Sequence, residues 1–283
     1  MFNFSRTSSR RLRVSLVCAG AAFFVSSTAA QNAAIPILSA PGSGWLEAGD
    51  DFIAPPAGPG PVMADPAHPY HNNTSGLQPT FRVADLNNPV LKPWVVERLR
   101  KTNEQVLSGK IPFQAHERCW PTGVPGFEVF SLLRPIYFLQ GPKEVIIINE
   151  GDFQVRHVYL NVTHSANPKL SWYGESIGHY ENGDTLVVDT IGMNDKSFVD
   201  NYLTPHTTEL HVVERFKLTE GGKMLQVLIT VEDPGAFNMP WSAVQIYRLQ
   251  RRGDWDDDIC AENNDSYFNY EMTPMPQASK ADF

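Results

Sequence analysis

The feature of this sequence that most constrains its fold is a repeated alternation of apolar and polar side chains, which begins near residue 127. A period of two over short segments is typical of β-strands with one face on a core. The segments are separated by turn residues such as Asn182-Gly183, a pair that accepts positive φ at both positions, and Gly221-Gly222. The predicted strands are 127–138, 145–150, 153–160, 170–180, 185–191, 209–218, 224–232 and 243–249.

One helix is predicted before these strands. Asn87 or Asn88 can cap it, Pro93 suits its first turn, and Gly109 ends it. Its apolar stripe consists of Trp94, Val95, Leu99, Val106 and Leu107. About eight strands with short turns and one N-terminal flanking helix predict a mainly β fold, either an antiparallel lipocalin-like β-barrel or a β-sandwich.

Residues 1–30 have the pattern of a cleaved secretory signal peptide. Four arginines and no acidic residue precede the apolar run 14–25, and small residues precede Gln31. The pair Arg10-Arg11 raises the twin-arginine route, but Arg13 stands where that signal prefers an apolar residue, so the general secretory route is favoured. We therefore expect a periplasmic or secreted protein.

The charge of the expected mature chain argues against nucleic acid as a partner. Without residues 1–30, 19 basic residues stand against 31 acidic ones. A surface with this net charge repels phosphate backbones. No other segment has the length and hydrophobicity of a transmembrane helix, so the mature protein is expected to be soluble. The expected partner is a small-molecule ligand or substrate.

Residues 31–87 contain nine prolines and six glycines without sustained periodicity. Proline removes backbone donors, so this segment is not expected to form a regular helix or a central strand. Its aromatic residues, among them Trp45 and Phe52, favour a segment that wraps around the domain. We predict a single β-rich domain over 88–270 and a disordered tail over 271–283.

Two cysteines, Cys119 and Cys260, remain after the signal peptide. In an oxidising compartment one disulfide between them is the simplest interpretation. The alternative is that one of them is a reactive thiol or a metal ligand. Neither cysteine has a partner at the Cys-x-x-Cys spacing of many metal sites.

Four ionisable residues fall on rows that are otherwise apolar: Glu150, His157, Asp189 and Glu214. A buried charge needs a partner, a shifted pKa or a hydrated cavity, and a barrel interior that holds a small ligand would supply the last. The structural alternative is that Glu214 pairs with a core arginine such as Arg156 or Arg134 and only organises the fold.

The segment from His206 to Glu214 concentrates titratable groups. We predict His206 and His211 as proton carriers, with Glu214 and Asp189 orienting them or abstracting protons. A divalent metal held by His206, His211 and Glu214 is an alternative, although His211 and Glu214 would face opposite sides of a regular strand.

The residues predicted to line the binding pocket are Glu150, His157, Arg156, Trp172 and Tyr173. The two aromatic residues could stack on a ring-shaped ligand, or they could simply belong to the core. The sequence contains no nucleotide-binding glycine pattern and no haem-attachment motif, so a divalent metal is the one cofactor considered.

Several motifs together resemble a widespread family of secreted bacterial proteins. They are Leu91-Lys92-Pro93-Trp94, Arg118-Cys119-Trp120-Pro121, Gly123-Val124-Pro125-Gly126, 171–178 (SWYGESIG), 183–190 (GDTLVVDT), Pro205-His206-Thr207, 210–216 (LHVVERF), Glu232-Asp233-Pro234 and 260–264 (CAENN). The resemblance spans about residues 85–265 and implies a protein of the bacterial envelope, without implying a reaction. It draws attention to Asp189, His206, His211 and Glu214.

Three functions follow from these observations. The first is an exported β-barrel enzyme that uses His, Glu and Asp for acid–base chemistry of the lyase, isomerase or hydrolase type on a small, partly apolar organic molecule. The second is a metal-dependent enzyme with a His/carboxylate site. The third is a lipocalin-like binding protein without catalysis.

Overall fold

The structure is a computed structural model that describes residues 35–49, 51–70, 82–114, 119–129, 134–151 and 154–251, with strand positions 266–267 and 270–271. The predicted signal peptide and most of the predicted tail lie outside these residues. No helix in the described ranges is long and apolar enough to cross a membrane.

Nine strands close into one barrel in chain order, which confirms the predicted barrel. Neighbouring strands pair antiparallel except β4 and β5, which pair parallel, and β1 closes the ring by pairing with both β2 and β9. The strands are β1 (Ser43–Glu47), β2 (Ile136–Gln140), β3 (Glu144–Asn149), β4 (Gln154–Leu160), β5 (Glu175–Glu181), β6 (Thr185–Ile191), β7 (His211–Thr219), β8 (Met224–Glu232) and β9 (Trp241–Arg251). A separate two-stranded sheet joins β10 (Ser266–Tyr267) to β11 (Tyr270–Glu271).

The proline-rich segment contributes a strand, so the prediction that it forms no central strand was wrong. β1 lies in a proline-free window between Pro41 and Pro55. Trp45 is buried, and its indole N–H donates to the carbonyl of Leu38 at 2.8 Å. A short window between prolines is enough here, because β1 pairs with β9 at all five of its positions and with β2 at Trp45.

The predicted helix is present as α1 (Pro93–Leu107), with Pro93 in its first turn. The predicted cap at Asn87 or Asn88 was wrong, because the N-cap position is Lys92 and its side chain makes no capping hydrogen bond. The side-chain oxygen of Asn88 instead accepts from the backbone N–H of Val90 at 3.1 Å. Gly109 follows the helix with φ +81°, the left-handed conformation in which glycine commonly terminates a helix.

Two of the predicted strands are shorter than expected. The segment 127–138 begins as a 3₁₀ helix (Gly126–Glu128), and β2 starts only at Ile136. The segment 170–180 forms a loop up to Glu175, where β5 starts. The Asn182-Gly183 turn has the predicted conformation, with φ values of 52° and 73°.

The inward rows of the barrel form a continuous hydrophobic core. Phe138 and Phe216 meet edge to face in this core, with ring centroids 5.5 Å apart. Other inward residues are Trp45, Ile136, Val145, Ile147, Val158, Val188, Val212 and Leu225. In the described part of the chain these rows are filled by side chains in the manner of small barrels.

The strand register gathers most of the polar groups at one end of the barrel. The last residues of β3, β6 and β8 and the first residues of β4, β5, β7 and β9 lie at this end. The 3₁₀ helix at Gly126–Glu128 and the loop between β6 and β7 adjoin the same end. We call it the polar end of the barrel.

Candidate functional site

The structure places the four residues expected to point inward in different environments. Glu214 is fully buried in the inward row of β7, as predicted. His157 and Asp189 face outward, with side chains 52 % and 35 % exposed, so the prediction that both line the interior was wrong. The alternation of apolar and polar residues divides a strand into two rows of side chains, but it does not show which row faces the barrel interior. In β4 the inward row carries Arg156, while the apolar-looking row of His157 faces out.

Glu214 forms a buried ion pair with Arg156. Both guanidinium NH groups donate to the carboxylate, at 2.9 and 2.6 Å, and both side chains have no exposure. Glu128, from the 3₁₀ helix, lies 3.4 Å from the same guanidinium. The hydroxyl of Tyr247 donates to the Glu128 carboxyl and to its backbone carbonyl.

Two carboxyl groups share one guanidinium in this network. Burial, and then the charge of Glu214, raise the pKa of Glu128 well above its ordinary value. A protonated Glu128 beside an ionised Glu214 leaves one negative charge for the one positive charge of Arg156. The structural alternative considered for Glu214 is therefore what the structure contains, and Arg156 belongs to the core rather than to a pocket wall.

Glu150 is buried, but not in the barrel interior. It follows the last residue of β3, and its backbone N–H donates to the carbonyl of Pro135 at 3.0 Å. The hydroxyl of Tyr137 donates to its carboxylate at 2.6 Å, and a guanidinium NH of Arg134 lies 4.0 Å away. The predicted role of Glu150 in a central pocket is not supported by this position.

Outward-facing acid and base groups form a second network on the wall of β5 to β8. One carboxylate oxygen of Asp189 lies 3.0 Å from Nε2 of His164 and 2.9 Å from Nε2 of His211. Nδ1 of His164 lies 3.0 Å from Glu175, and Nδ1 of His211 lies 3.5 Å from Glu232. We call the five residues Glu175, His164, Asp189, His211 and Glu232 the outer relay.

The order of donors and acceptors in the outer relay suits proton transfer. Carboxylates accept hydrogen bonds, and each of the two imidazoles faces a carboxylate at both ring nitrogens. Asp189 joins the two imidazoles through a single oxygen. The five side chains therefore form one continuous row of acid and base groups.

Ser165 holds one end of the outer relay in place. Its backbone N–H and its hydroxyl both donate to Glu175, at 2.7 and 2.8 Å. The backbone hydrogen bond, and then the hydroxyl, lower the pKa of Glu175. Glu175 therefore stays an acceptor for His164. Neither His164 nor Glu175 was predicted as a site residue. His164 lies in the loop 161–174, which gives no periodic signal, and Glu175 is the first residue of β5.

A surface depression of about 410 Å³ lies at the other end of the outer relay. Glu232 lines it together with Lys92, Asp233, Pro234, Phe237, Asn238, Met239 and Pro240. Its lining combines apolar side chains with one carboxylate of the relay. A small organic molecule seated there would lie next to a group connected to His211.

His206 is separate from His211, although they are five residues apart in the sequence. His206 is buried, and Nε2 and Nδ1 lie 3.0 Å from the hydroxyl of Ser197 and 2.9 Å from the carbonyl of Thr207. Burial lowers its pKa. The predicted metal ligands His206, His211 and Glu214 are not assembled, because His211 and Glu214 occupy opposite faces of β7. Among the described residues, no three His, Cys, Asp or Glu side chains are grouped to hold a metal ion.

Trp172 and Tyr173 lie in the loop before β5, at the polar end of the barrel. Tyr173 packs edge to face on Phe127, with centroids 5.9 Å apart, and its hydroxyl donates to Gln154. Trp172 packs against Trp120 at 5.4 Å, and the Lys196 ammonium lies 5.9 Å from its ring centroid. Their predicted role in ligand binding stays a prediction.

Cys119 lies in the described part of the chain, whereas Cys260 lies outside it. The predicted disulfide therefore stays a prediction.

No protein-family model matches this chain, and no characterised protein is significantly similar to it in sequence. The function has to be inferred from the site itself.

Proposed function

We propose that this chain is an exported enzyme that performs acid–base chemistry on a small, partly apolar organic molecule at the outer relay. The observation that carries the proposal is the position of Asp189, whose single oxygen joins the imidazoles of His164 and His211. Histidine and carboxylate groups in hydrogen-bond contact are the usual carriers in general acid–base catalysis.

His211 is the proton carrier nearest the substrate in this proposal. It lies directly opposite Glu232 in the pairing of β7 with β8, and Glu232 lines the depression. Glu232 takes a proton from the bound molecule and passes it to His211, and Asp189 stabilises the charge that forms on the imidazole. His164 and Glu175 give the proton a path to solvent. Lyase, isomerase and hydrolase reactions all use such a transfer.

The depression also favours a binding protein without catalysis as a second candidate. Phe237, Met239 and two prolines offer apolar contact to a ligand of modest size. The two candidates differ in the fate of the bound compound. A carrier releases it unchanged after prolonged incubation, whereas an enzyme converts it.

The relay is tested with nitrobenzisoxazole, whose ring opens when a base removes its ring C–H proton. We expect the wild-type chain to accelerate the opening, and D189N or H211Q to lose about 10²-fold of that acceleration. H179Q is the matched control, because His179 is an exposed histidine that contacts a single carboxylate, Glu181, at 3.1 Å. Equal rates for the wild type, D189N and H211Q would contradict the proposal.

A further inference from the structure

The loop between β6 and β7 holds a serine and a histidine in contact, away from the outer relay. The hydroxyl of Ser197 lies 3.0 Å from Nε2 of His206. Nδ1 of the same ring lies 2.9 Å from the carbonyl of Thr207. A carbonyl oxygen only accepts hydrogen bonds, so Nδ1 carries the proton and Nε2 presents its lone pair to the serine.

This arrangement is that of an activated nucleophile. A neutral imidazole that is fixed by a hydrogen bond at one nitrogen can take a proton from a serine at the other. Burial keeps His206 neutral, because it lowers the pKa of the ring. The base is therefore in its reactive form at neutral pH.

Asp233 fixes the backbone that orients the histidine. Its carboxylate accepts from the backbone N–H and the hydroxyl of Thr207, at 2.6 and 2.7 Å, and from the backbone N–H groups of Gly235 and Ala236. Thr207 is thereby held in place, and its carbonyl holds His206. Asp233 is a positioning residue in this arrangement.

Glycine backbone packs closely on the serine. A Cβ atom added at Gly123 would meet the Ser197 hydroxyl at 2.2 Å and the backbone carbonyl of Trp172 at 3.4 Å, so the glycine backbone packs between these two residues. The ammonium of Lys196, the residue before Ser197, lies 5.9 Å from the centroid of the Trp172 ring.

We propose that Ser197 and His206 form a second, nucleophilic site, in which the serine is acylated by small aryl esters. Ser197 and His206 are 2 % and 3 % exposed, so the acyl group must be small, of the size of acetate. The Ser197 oxygen bonds to the acyl carbon while its proton passes to Nε2 of His206. The bond to the aryl oxygen then breaks, and that oxygen takes the proton. Water, deprotonated by His206, hydrolyses the acyl-serine and restores the hydroxyl.

The proposal is tested on the full chain with p-nitrophenyl acetate, whose acyl group has the required size. We expect one acetyl adduct per chain, trapped at low pH and mapped to Ser197, and a burst of one equivalent of nitrophenol. S197A loses both, and H206Q slows the labelling by about 10²-fold or more. S171A, which changes an exposed serine in the neighbouring loop, labels at the wild-type rate.

Two outcomes would overturn the proposal. The first is no adduct on Ser197 under conditions that fully label trypsin. The second is an adduct that forms equally fast in H206Q. Exposed histidines also hydrolyse p-nitrophenyl acetate, but they do so without a burst. A burst that persists in S197A would therefore contradict the proposal even if H206Q does not fold.

Discussion

At the scale of single residues, their partners separate the carboxyl groups of the core from those of the outer wall. Glu214 and Glu128 are fully buried around Arg156, whereas Asp189 and Glu232 remain partly exposed. Arg156 holds the Glu214 carboxylate and Tyr247 holds the Glu128 carboxyl, so neither group is free to exchange protons with a substrate. The carboxyl groups of the outer wall are therefore the better candidates for acid–base catalysis, although the sequence directed attention to the interior.

The ion pair of Arg156 gives a first prediction. We expect E214A to lower the free energy of unfolding by about 3–5 kcal/mol, because it removes the bidentate partner of a buried guanidinium. Urea denaturation measures the change. E209A, at an exposed position in the preceding turn, is expected to change it by less than about 0.5 kcal/mol. Similar values for the two variants would show that the pair is not important for stability.

Asp200 gives a second prediction, on pH dependence. Burial raises its pKa to about 6 from an ordinary value of 3.8, and the charge of Asp51 adds to the rise. The native state therefore holds a proton between these values that the unfolded state has lost. The stabilisation from this group is complete below pH 3.8 and is lost as the pH rises through 6.

D200N removes the buried charge but keeps an oxygen to accept from the backbone N–H groups of Tyr202 and Thr204. We expect its free energy of unfolding at pH 8 to exceed that of the wild type by up to about 3 kcal/mol. The difference is expected to fall to near zero at about pH 4. Thermal unfolding across this range measures it. D195N, at an exposed position, serves as the control. A difference that does not change with pH would contradict the assignment.

At the scale of elements, the conformation of a turn could be predicted from the sequence. Which face of a strand points into the barrel could not. The Asn182-Gly183 turn depends on the φ preferences of two residues, and it is present as expected. The orientation of His157 depends on which face of β4 meets the other strands, and the pattern within β4 carries no information on that. His164 was missed because its partner Asp189 is 25 residues away along the chain.

The strand β1 gives a third prediction. We expect W45A to lower the free energy of unfolding by about 3–5 kcal/mol, since it leaves a cavity where β1 closes the ring. I37A is the matched control in the same segment, because Ile37 is 74 % exposed. Chemical denaturation distinguishes them. A small effect of W45A would mean that β1 adds little to the closed barrel.

At the scale of the whole molecule, the candidate sites share one end of the barrel. The outer relay, the Ser197–His206 pair and the Arg156 network all lie where β7 begins and β8 ends, or next to it. The predicted disulfide would join Cys119, near this end, to the C-terminal segment, which lies outside the described residues.

The disulfide is the fourth prediction. Proteolysis without reductant is expected to yield one linked pair of peptides that contain Cys119 and Cys260. Reduction is expected to lower the free energy of unfolding by about 2–4 kcal/mol. Mass spectrometry identifies the peptides, and denaturation with and without reductant gives the energy. Two free thiols in the protein purified without reductant would contradict it.

The number of strands has a consequence of its own. A ring in which every strand runs opposite to both neighbours needs an even number of members, and this ring has nine. A ring of nine strands must therefore contain at least one parallel pair of neighbours, and in this barrel that pair is β4 and β5. A hairpin cannot make such a junction, so the polypeptide must turn back over the outside through residues 161–174. This crossover connection brings His164 and Ser165 to the outer wall. The odd strand count thus supplies half of the proposed proton path.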